Sequence, residues 1–256
     1  KSLAHSKIDS VNIYDCTSQW GVFSIAGPNS RSFLKKIVVS EDPDKTLSNK
    51  EFPWLSYRDI EIGMCPIRAL RVAYTGELGW ELHHPIEMQN YLLDILLSSG
   101  EEFNLKLVGA RAQNWLRQEK SYKAFGSDLG RDAGPFESNL SRFVDINKNF
   151  LGKDALLKRK TEVSCVTLLI DGPKDIDPWG REALYNETEE VMLGRLTSAG
   201  YSVHFKRSIG IGYVKSSFSE VGTKLRIKID DAFWNAEIVR DSPYDPQNER
   251  IIDRAQ

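Results

Sequence analysis

The residue types that could carry chemistry are concentrated in one short segment, RVAYTGELGWEL, at residues 71–82. It contains an aromatic hydroxyl at Tyr74, carboxylates at Glu77 and Glu81, and two glycines, which let a backbone approach a ligand closely. A carboxylate accepts two N–H donors side by side, which matches the amino–imino edge of a pterin or purine ring. Tyr74 and Trp80 offer flat faces for stacking. The pattern alone leaves two interpretations open, a binding turn for such a ring or a β-hairpin with surface glutamates.

A second candidate is Arg117, in the run WLRQEK of a predicted helix. An arginine beside a buried tryptophan can clamp a carboxylate through two parallel hydrogen bonds. The alternative is a solvated helix face on which Arg117 makes only local ion pairs. Both interpretations stay open on the residues alone.

Other kinds of site have no support in the sequence. It contains no nucleophile elbow, phosphate loop or dinucleotide fingerprint. The G-x-G at residues 210–212 lies between strand residues and lacks the third glycine of a nucleotide-binding loop. His83 and His84 are adjacent, so on a strand they point to opposite faces and cannot share one metal ion. We therefore expect no metal site.

Composition limits the possible partners. The 256 residues include 34 basic and 36 acidic side chains, a net charge of −2, which argues against a nucleic-acid partner. Mean hydropathy is −0.39, and the apolar runs fall far short of the ~20 residues of a membrane span, so no membrane association is expected. Three widely spaced cysteines give no disulfide framework, and no export signal is visible, which predicts a reducing compartment.

A mixture of strands and helices must position the candidate residues in the first part of the chain. Apolar patterns predict a buried strand at residues 20–26 and further strands at residues 57–62, 67–73 and 143–146. Helical periodicity predicts helices at residues 28–38, 88–99, 108–122 and 155–160. In the third of these helices Ala112, Trp115 and Leu116 are expected to point inward. Turn-forming residues predict loops at residues 41–50 and 125–135.

From residue 163 onward the pattern becomes all-β. Short strands are predicted at residues 163–170, 182–185, 191–199, 209–214, 225–229 and 233–239. Closely spaced short strands without helices are typical of a small antiparallel barrel or sandwich. We place a domain boundary near residue 160, with an α+β domain at residues 1–160 and an all-β domain at residues 161–256.

Four motifs together resemble a known family. YTGELGWEL is followed, in order, by LRQEKSYKAFGSDL, GPFESNL and FLGKDAL, and this series resembles the aminomethyltransferase family, the T-protein of the glycine cleavage system. The stretch GELGWELHHP and the tail SPYDPQNER resemble the folate regions of sarcosine and dimethylglycine dehydrogenases. The resemblance covers residues 10–250. It implies an α+β T-protein-like folate-binding domain, incomplete at its N-terminus, followed by a small antiparallel β-barrel.

The resemblance also implies a cofactor and site residues. Family members bind tetrahydrofolate, and the matching positions predict that Tyr74, Glu81, Leu82, His83 and Arg117 contact it. The expected partners are folate and a small N-methyl amine or another one-carbon donor. A flavin dehydrogenase domain, and with it FAD, is expected only if such a domain lies upstream. The implied location is the cytoplasm, or the mitochondrial matrix in a eukaryote.

The chain departs from the family pattern in several places. The family's catalytic aspartate has no counterpart among the residues here, since Asp9 and Asp15 match the segment after it, so the catalytic residues are unknown. Arg142 stands where the dehydrogenases place a tyrosine. Three further positions also differ from the usual residue, namely Gln118, Phe125 and Asn139. These differences suggest a divergent member.

Three functions follow as hypotheses. The first is aminomethyl or methylene transfer to tetrahydrofolate, by the C-terminal part of a sarcosine or dimethylglycine dehydrogenase-like protein or by a truncated T-protein relative. The second is a non-catalytic, folate-binding regulatory protein. The third is a tetrahydrofolate-dependent methyltransferase or demethylase.

Overall fold

The computed structural model describes residues 12–172 and 177–253, and residue contacts divide the chain into two compact units. The first unit contains residues 12–73, 78–106 and 251–253, and the second contains residues 74–77, 107–172 and 177–250. Asp9 lies outside the described residues. The domain boundary that the sequence predicts near residue 160 stays a prediction.

An antiparallel sheet of four strands organises the first unit, in the order β1-β4-β3-β2. The strands are β1 (Trp20–Ala26), β2 (Tyr57–Ile62), β3 (Cys65–Leu70) and β4 (Gly79–Pro85). The strands β2 and β3 form a hairpin, because Ile62 pairs with Cys65 across the two-residue turn between them. The strand β4, which continues the YTGELGWEL motif, is central: it pairs with β1 over its full length and with β3.

Two helices of the first unit pack against this sheet. They are α1 (Ser30–Ile37) and α3 (Gln89–Gly100), and both confirm predicted helices, whereas the short helix α2 (Pro43–Thr46) contacts α1. The buried core joins Phe33 and Leu34 of α1, Leu92 and Leu96 of α3, and alternate residues of the strands. Each such side chain contributes about 1.5–3 kcal/mol through its removal from water.

The expectation of continuous burial for β1 is wrong. Trp20 is 43% exposed and Val22 is 48% exposed, and Gly21 is the one residue of this strand that is fully buried. The reason is the alternation of side chains in a strand, since every second residue from Trp20 to Ala26 lies on the exposed face of the sheet. An apolar run predicts a strand correctly here but does not reveal which of its residues face the core.

Two local predictions also need correction. The loop at residues 41–50 contains the helical turn α2, which begins where Asp42 accepts a hydrogen bond from the Lys45 backbone N–H. Pro43 favours this start because its fixed φ suits the first helical position. The predicted strand at residues 143–146 is absent, and a 3₁₀ turn occupies Ser141–Phe143 instead. Phe143 is 71% exposed, so its apolar character did not signal burial.

A closed antiparallel barrel dominates the second unit, with strand order β10-β5-β8-β7-β6-β9. All of its strands were predicted, and they are β5 (Val163–Ile170), β6 (Ala183–Tyr185), β7 (Met192–Ser202), β8 (Arg207–Lys215), β9 (Lys224–Ile229) and β10 (Ala232–Val239). Closure excludes the sandwich alternative. The inner face is aliphatic, with Leu168, Leu196 and Ile227 among its buried residues.

Three further α-helices of the described residues are α4 (Ala110–Glu119), α5 (Lys153–Lys158) and α6 (Glu249–Ile252). Helix α4 packs against β7, where Trp115 lies on Gly200. A sheet-and-helix unit and a separate antiparallel barrel confirm the predicted α+β fold class. Among the described residues, no helix has the length and apolar character needed to cross a bilayer.

Candidate functional site

Glu81, Leu82 and His83 lie together on β4, but their side chains alternate between two faces. The Glu81 Oε2 atom lies 3.2 Å from His83 Nε2, and the two side chains are 35% and 30% exposed. The pair therefore forms an accessible polar patch. Leu82 is fully buried in the core behind it, so only its backbone lies near that patch.

The two adjacent histidines have different surroundings, as expected for a strand. His84 is fully buried, stacks on Phe23 with ring centroids 4.9 Å apart, and has Nδ1 2.9 Å from the Leu82 carbonyl oxygen. Because that carbonyl accepts, Nδ1 carries the proton. Within residues 12–172 and 177–253, no cluster of His, Cys, Asp and Glu side chains is suited to hold a metal ion.

Trp80 does not offer a stacking face, contrary to the sequence-based expectation. It is fully buried in the core of the first unit, and the guanidinium groups of Arg31 and Arg71 lie 5.4 and 5.7 Å from its ring centroid. Burial, followed by repulsion from Arg31, lowers the pKa of Arg71 to about 10. The carboxylate of Asp253 opposes this lowering of the Arg71 pKa, and it also forms a salt bridge with Arg31 Nε at 3.1 Å. Trp80 is therefore a core residue.

Tyr74 belongs to the second unit, where its ring stacks on Tyr122 with centroids 6.0 Å apart and planes 17° apart. Burial raises the pKa of the Tyr74 hydroxyl, Arg117 opposes this effect, and Asp128 adds to it. The hydroxyl thus stays protonated at neutral pH and can donate a hydrogen bond. Tyr122 covers one face of the Tyr74 ring and thereby fixes the plane of that ring.

Arg117 is 1% exposed, so the alternative of a solvated helix face is wrong. Its Nε and Nη2 donate to Asn114 Oδ1 at 3.0 and 2.8 Å, and Nη2 also donates to Ser198 Oγ at 2.6 Å. Its Nη1 donates to the Tyr122 carbonyl at 2.9 Å and to Asp128. All five N–H donors are engaged inside the unit. Arg117 therefore orders Tyr122, the stacking partner of Tyr74, and its contact with folate stays a prediction.

The inward face of α4 differs from the prediction. Ala112 is exposed and Trp115 is partly buried, whereas Arg117, Gln118 and Glu119 are buried at the C-terminal end. Burial of charged residues is tolerated because each finds a partner. Glu119, for example, accepts hydrogen bonds from the Ser202 hydroxyl and from the His204 backbone N–H at 3.3 Å.

Sequence reasoning missed one polar network in the second unit. The Tyr244 hydroxyl donates to Glu77, and Lys120 donates to the backbone of Tyr244 and Asp245. The sequence contains all three partners, since Glu77 lies in YTGE, Lys120 in LRQEK and Tyr244 in the tail SPYDPQNER. No rule of sequence spacing predicts that they contact one another. The described geometry makes Glu77 a partner of the tail.

The four departures from the family pattern have distinct settings. Arg142 lies over the ring of Phe143 at 4.8 Å. Burial raises the pKa of Tyr122, and Arg142 opposes this effect. Asn139 has φ +55°, a left-handed conformation that glycine adopts without strain. Gln118 is fully buried, and its Oε1 has no hydrogen-bond partner among the described residues. Phe125 is 87% exposed.

The predicted site residues thus fall into two groups, each described within its own unit. Glu81 and His83 contact each other in the first unit, and Leu82 lies behind them. Tyr74 and Arg117 both contact Tyr122 in the second unit.

Comparison with protein families gives two matches in sequence order. The model for the GCVT N-terminal domain matches residues 2–148, and the model for the glycine cleavage T-protein C-terminal barrel domain matches residues 164–245. The first match alone covers more than half of the chain.

Curated relatives include both dehydrogenases and aminomethyltransferases. Dimethylglycine dehydrogenase, mitochondrial, of Mus musculus is 36% identical over 90% of this chain and 26% of its own length. Sarcosine dehydrogenase, mitochondrial, of the same organism is 27% identical over 93% of this chain and also 26% of its own length. The aminomethyltransferase of Caldanaerobacter subterraneus is 29% identical over 93% of this chain and 62% of its length. The chain therefore spans about a quarter of the dehydrogenases that it matches.

A solved structure shares the fold. The crystal structure of glycine cleavage system aminomethyltransferase T from Bartonella henselae superposes with a TM-score of 0.73 at 21% identity, covering 89% of this chain and 60% of that one. This likeness agrees with the α+β unit and terminal barrel described above.

Proposed function

Because the chain belongs to the glycine cleavage T-protein family, we propose that it binds tetrahydrofolate and transfers a one-carbon unit to it. The transferred unit is an aminomethyl or methylene group. The relatives that support this proposal include aminomethyltransferases as well as dehydrogenases named for dimethylglycine and sarcosine. Tetrahydrofolate, when bound, supplies the nitrogen atoms that accept the carbon.

The chain acts, in this proposal, as the folate region of a longer amine dehydrogenase. The mouse dehydrogenases extend well beyond the matched region, since the match covers 26% of each. A flavin domain with FAD would then oxidise a small N-methyl amine, and this region would receive the carbon. Both mouse relatives are mitochondrial, so a eukaryotic source implies the matrix and a bacterial source the cytoplasm.

The observation that carries the proposal is the position of Glu81. Its carboxylate sits on a central strand, is held at one oxygen by His83, and remains 35% exposed at the side chain. A rigid, accessible carboxylate can accept the paired N–H donors at the amino–imino edge of a pterin. Glu81 would thereby fix the ring so that its reacting nitrogens face the incoming carbon.

The other residues have supporting roles in this proposal. His83 holds one oxygen of Glu81, and Leu82 anchors the strand through its buried side chain. Tyr74, protonated and stacked on Tyr122, donates a hydrogen bond to the folate or packs against it. Arg117 acts through Tyr122 unless folate displaces one of its internal partners.

The test compares Glu81→Gln with Glu61→Gln, a substitution of an exposed glutamate on β2 of the same sheet. Calorimetric titration with tetrahydrofolate should show binding weakened by more than about 1.5 kcal/mol for Glu81→Gln, because a charge-assisted contact is lost. Glu61→Gln should bind like the natural chain. Equal affinity in both variants would remove Glu81 from the site.

Product analysis distinguishes the three functional hypotheses. With an amine-derived carbon donor, 5,10-methylenetetrahydrofolate is the expected product. Exclusive formation of 5-methyltetrahydrofolate would favour the methyltransferase hypothesis. Tight binding without any product, in the longest chain that contains this region, would favour the regulatory hypothesis.

A further inference from the structure

Lys120 is a lysine enclosed within the second unit, 2% exposed, and its ammonium group is fully engaged. The Nζ atom donates to the carbonyl oxygens of Tyr244 at 3.2 Å and Asp245 at 2.6 Å, and to Asn248 Oδ1 at 2.8 Å. Burial lowers the pKa of Lys120, and the nearby carboxylates of Asp245 and Glu77 oppose this effect. A buried ammonium is costly unless its donors are satisfied, and here the partners all come from residues 242–250, which we name the tail segment.

The methylene groups of the Lys120 side chain pack against the loop formed by residues 74–77. Gly76 has φ +82°, and a Cβ atom added there would lie 2.8 Å from Lys120 Cδ. The glycine therefore satisfies both a left-handed backbone and a close approach to the lysine. The loop that carries Tyr74 rests directly on this side chain.

Glu77 fastens the same loop to the tail segment from the other side. It accepts a hydrogen bond from the Tyr244 hydroxyl and lies 3.5 Å from Arg250 Nη1. The guanidinium group of Arg250 also lies over the Tyr244 ring, 5.4 Å from its centroid. One carboxylate thus holds both an aromatic and a cationic residue of the tail segment.

The tail segment has its own attachments to the second unit. The Tyr244 backbone N–H donates to the Glu119 carbonyl at 3.0 Å, and the Ser242 N–H donates to Ser121 Oγ at 2.8 Å. Ser242, Asp245 and Asn248 adopt left-handed backbone conformations with φ between +42° and +59°. Such conformations persist in non-glycine residues when the surroundings hold them, so the tail segment is a defined support.

We propose that Lys120 and Glu77 are positioning residues that clamp the Tyr74–Glu77 loop to the tail segment and so set the place of the Tyr74 ring. The inference deepens the proposed function and rests on it, because Tyr74 is the residue offered to tetrahydrofolate. Lys120 and Glu77 do not themselves touch the ligand. Their contribution reaches folate through Tyr74.

The first test needs no ligand. The 256-residue chain is labelled with fluorotyrosine, and the Tyr74 and Tyr122 signals are assigned from Tyr→Phe variants. Lys120→Met keeps the stem but removes the ammonium group, and it should shift or broaden the Tyr74 signal. The matched control is Lys123→Met, whose Nζ donates to Ser121 O and Asp241 at 3.4 and 3.3 Å and not to the loop or the tail segment. An unchanged Tyr74 signal in Lys120→Met would overturn the proposal.

The second test measures tetrahydrofolate affinity under conditions in which each variant is folded. Lys120→Met should weaken binding about tenfold or more, because small misplacements of a binding group are costly, whereas Lys123→Met should not. If Lys120 acts through Tyr74, adding Lys120→Met to Tyr74→Ala should cause no additional loss. Losses that multiply in the double variant would contradict a role through Tyr74.

The two tests fail in distinguishable ways. If the natural chain binds no tetrahydrofolate, the proposed function fails, while the fluorine signals still decide whether Lys120 holds the loop. If Lys120→Met does not fold, Glu77→Gln replaces it in both tests. That variant keeps the side-chain volume and removes the charge near Arg250, and the same outcomes are expected from it.

Discussion

The neighbours of a candidate site residue decide whether its polar atoms are available to bind a ligand. Glu81 has one oxygen near His83 and remains accessible, so it can accept further hydrogen bonds. Arg117 has every donor engaged, and its Nη1 bonds to Asp128, which is 2% exposed. Both residues were predicted from the sequence to contact folate, but only the structure separates an available side chain from an enclosed one. Of the partners of Arg117, Ser198 lies 81 residues away in sequence, too far for local patterns to reveal it.

Two arginines on helix α4 allow a matched prediction. Arg117→Met should lower the free energy of unfolding by about 3–5 kcal/mol, because Asp128 would remain buried without its charged partner. Arg111 pairs with Asp177 with side chains 58% and 38% exposed, so Arg111→Met should cost no more than about 1 kcal/mol. Urea unfolding of both variants tests this expectation. Similar losses of unfolding free energy in the two variants would contradict a larger contribution from the buried Arg117–Asp128 pair.

At the scale of elements, strand patterns were the most informative feature of the sequence. All strands of the barrel were predicted, because apolar or alternating segments recur at short intervals and turn residues separate them. Local periodicity failed where long-range partners decide burial. The buried end of α4 carries Arg117 and Glu119. Their partners are Asp128, in the loop that follows the helix, and Ser202, on a strand 83 residues further along the chain. In β1, Trp20 and Val22 lie on the exposed face of the sheet, so an apolar run did not reveal which side chains are buried.

The contact between α4 and β7 gives a prediction at this scale. A Cβ atom at Gly200 would overlap the indole of Trp115, at 3.0 Å from its Cγ atom and closer to other ring atoms. Gly200→Ala should therefore destabilise the protein by about 1–3 kcal/mol, because the helix must shift away from the strand. Gly130→Ala is the control, since no atom lies within 4 Å of its added Cβ. The result to compare is the denaturation midpoint, and equal midpoints for the two variants would refute this account of the contact.

At the scale of the whole molecule, the composition agrees with a small-molecule role. A net charge of −2 suits a folate ligand held by a few directed contacts better than an extended polyanion. Family membership follows from matches over most of the chain, and the fold agrees with it.

Three cysteines are free, and of these Cys65 and Cys165 are buried while Cys16 is exposed.

Stability should fall in alkaline solution because buried acids resist ionisation. Burial raises the pKa of Cys165 from 9.0 to about 12 and that of Tyr213 from 10.0 to about 12. Groups with a raised pKa give their full stabilisation below the unfolded pKa, and this is lost as pH rises from about 9 to about 12. Cys165→Ala should weaken the dependence between pH 8.5 and about 11, whereas Cys16→Ala should not. Urea midpoints at several pH values measure this, and identical curves for the natural chain and Cys165→Ala would contradict it.

Thermal unfolding with increasing tetrahydrofolate tests the central claim most directly. A ligand that binds only the folded state stabilises it by about 2.7 kcal/mol at a hundred times its dissociation constant. The unfolding midpoint should therefore rise steadily with tetrahydrofolate, and much less with p-aminobenzoylglutamate, which lacks the pterin that Glu81 is proposed to hold. A midpoint that stays constant up to millimolar tetrahydrofolate would contradict the proposal that this chain is a folate-binding, one-carbon transfer region.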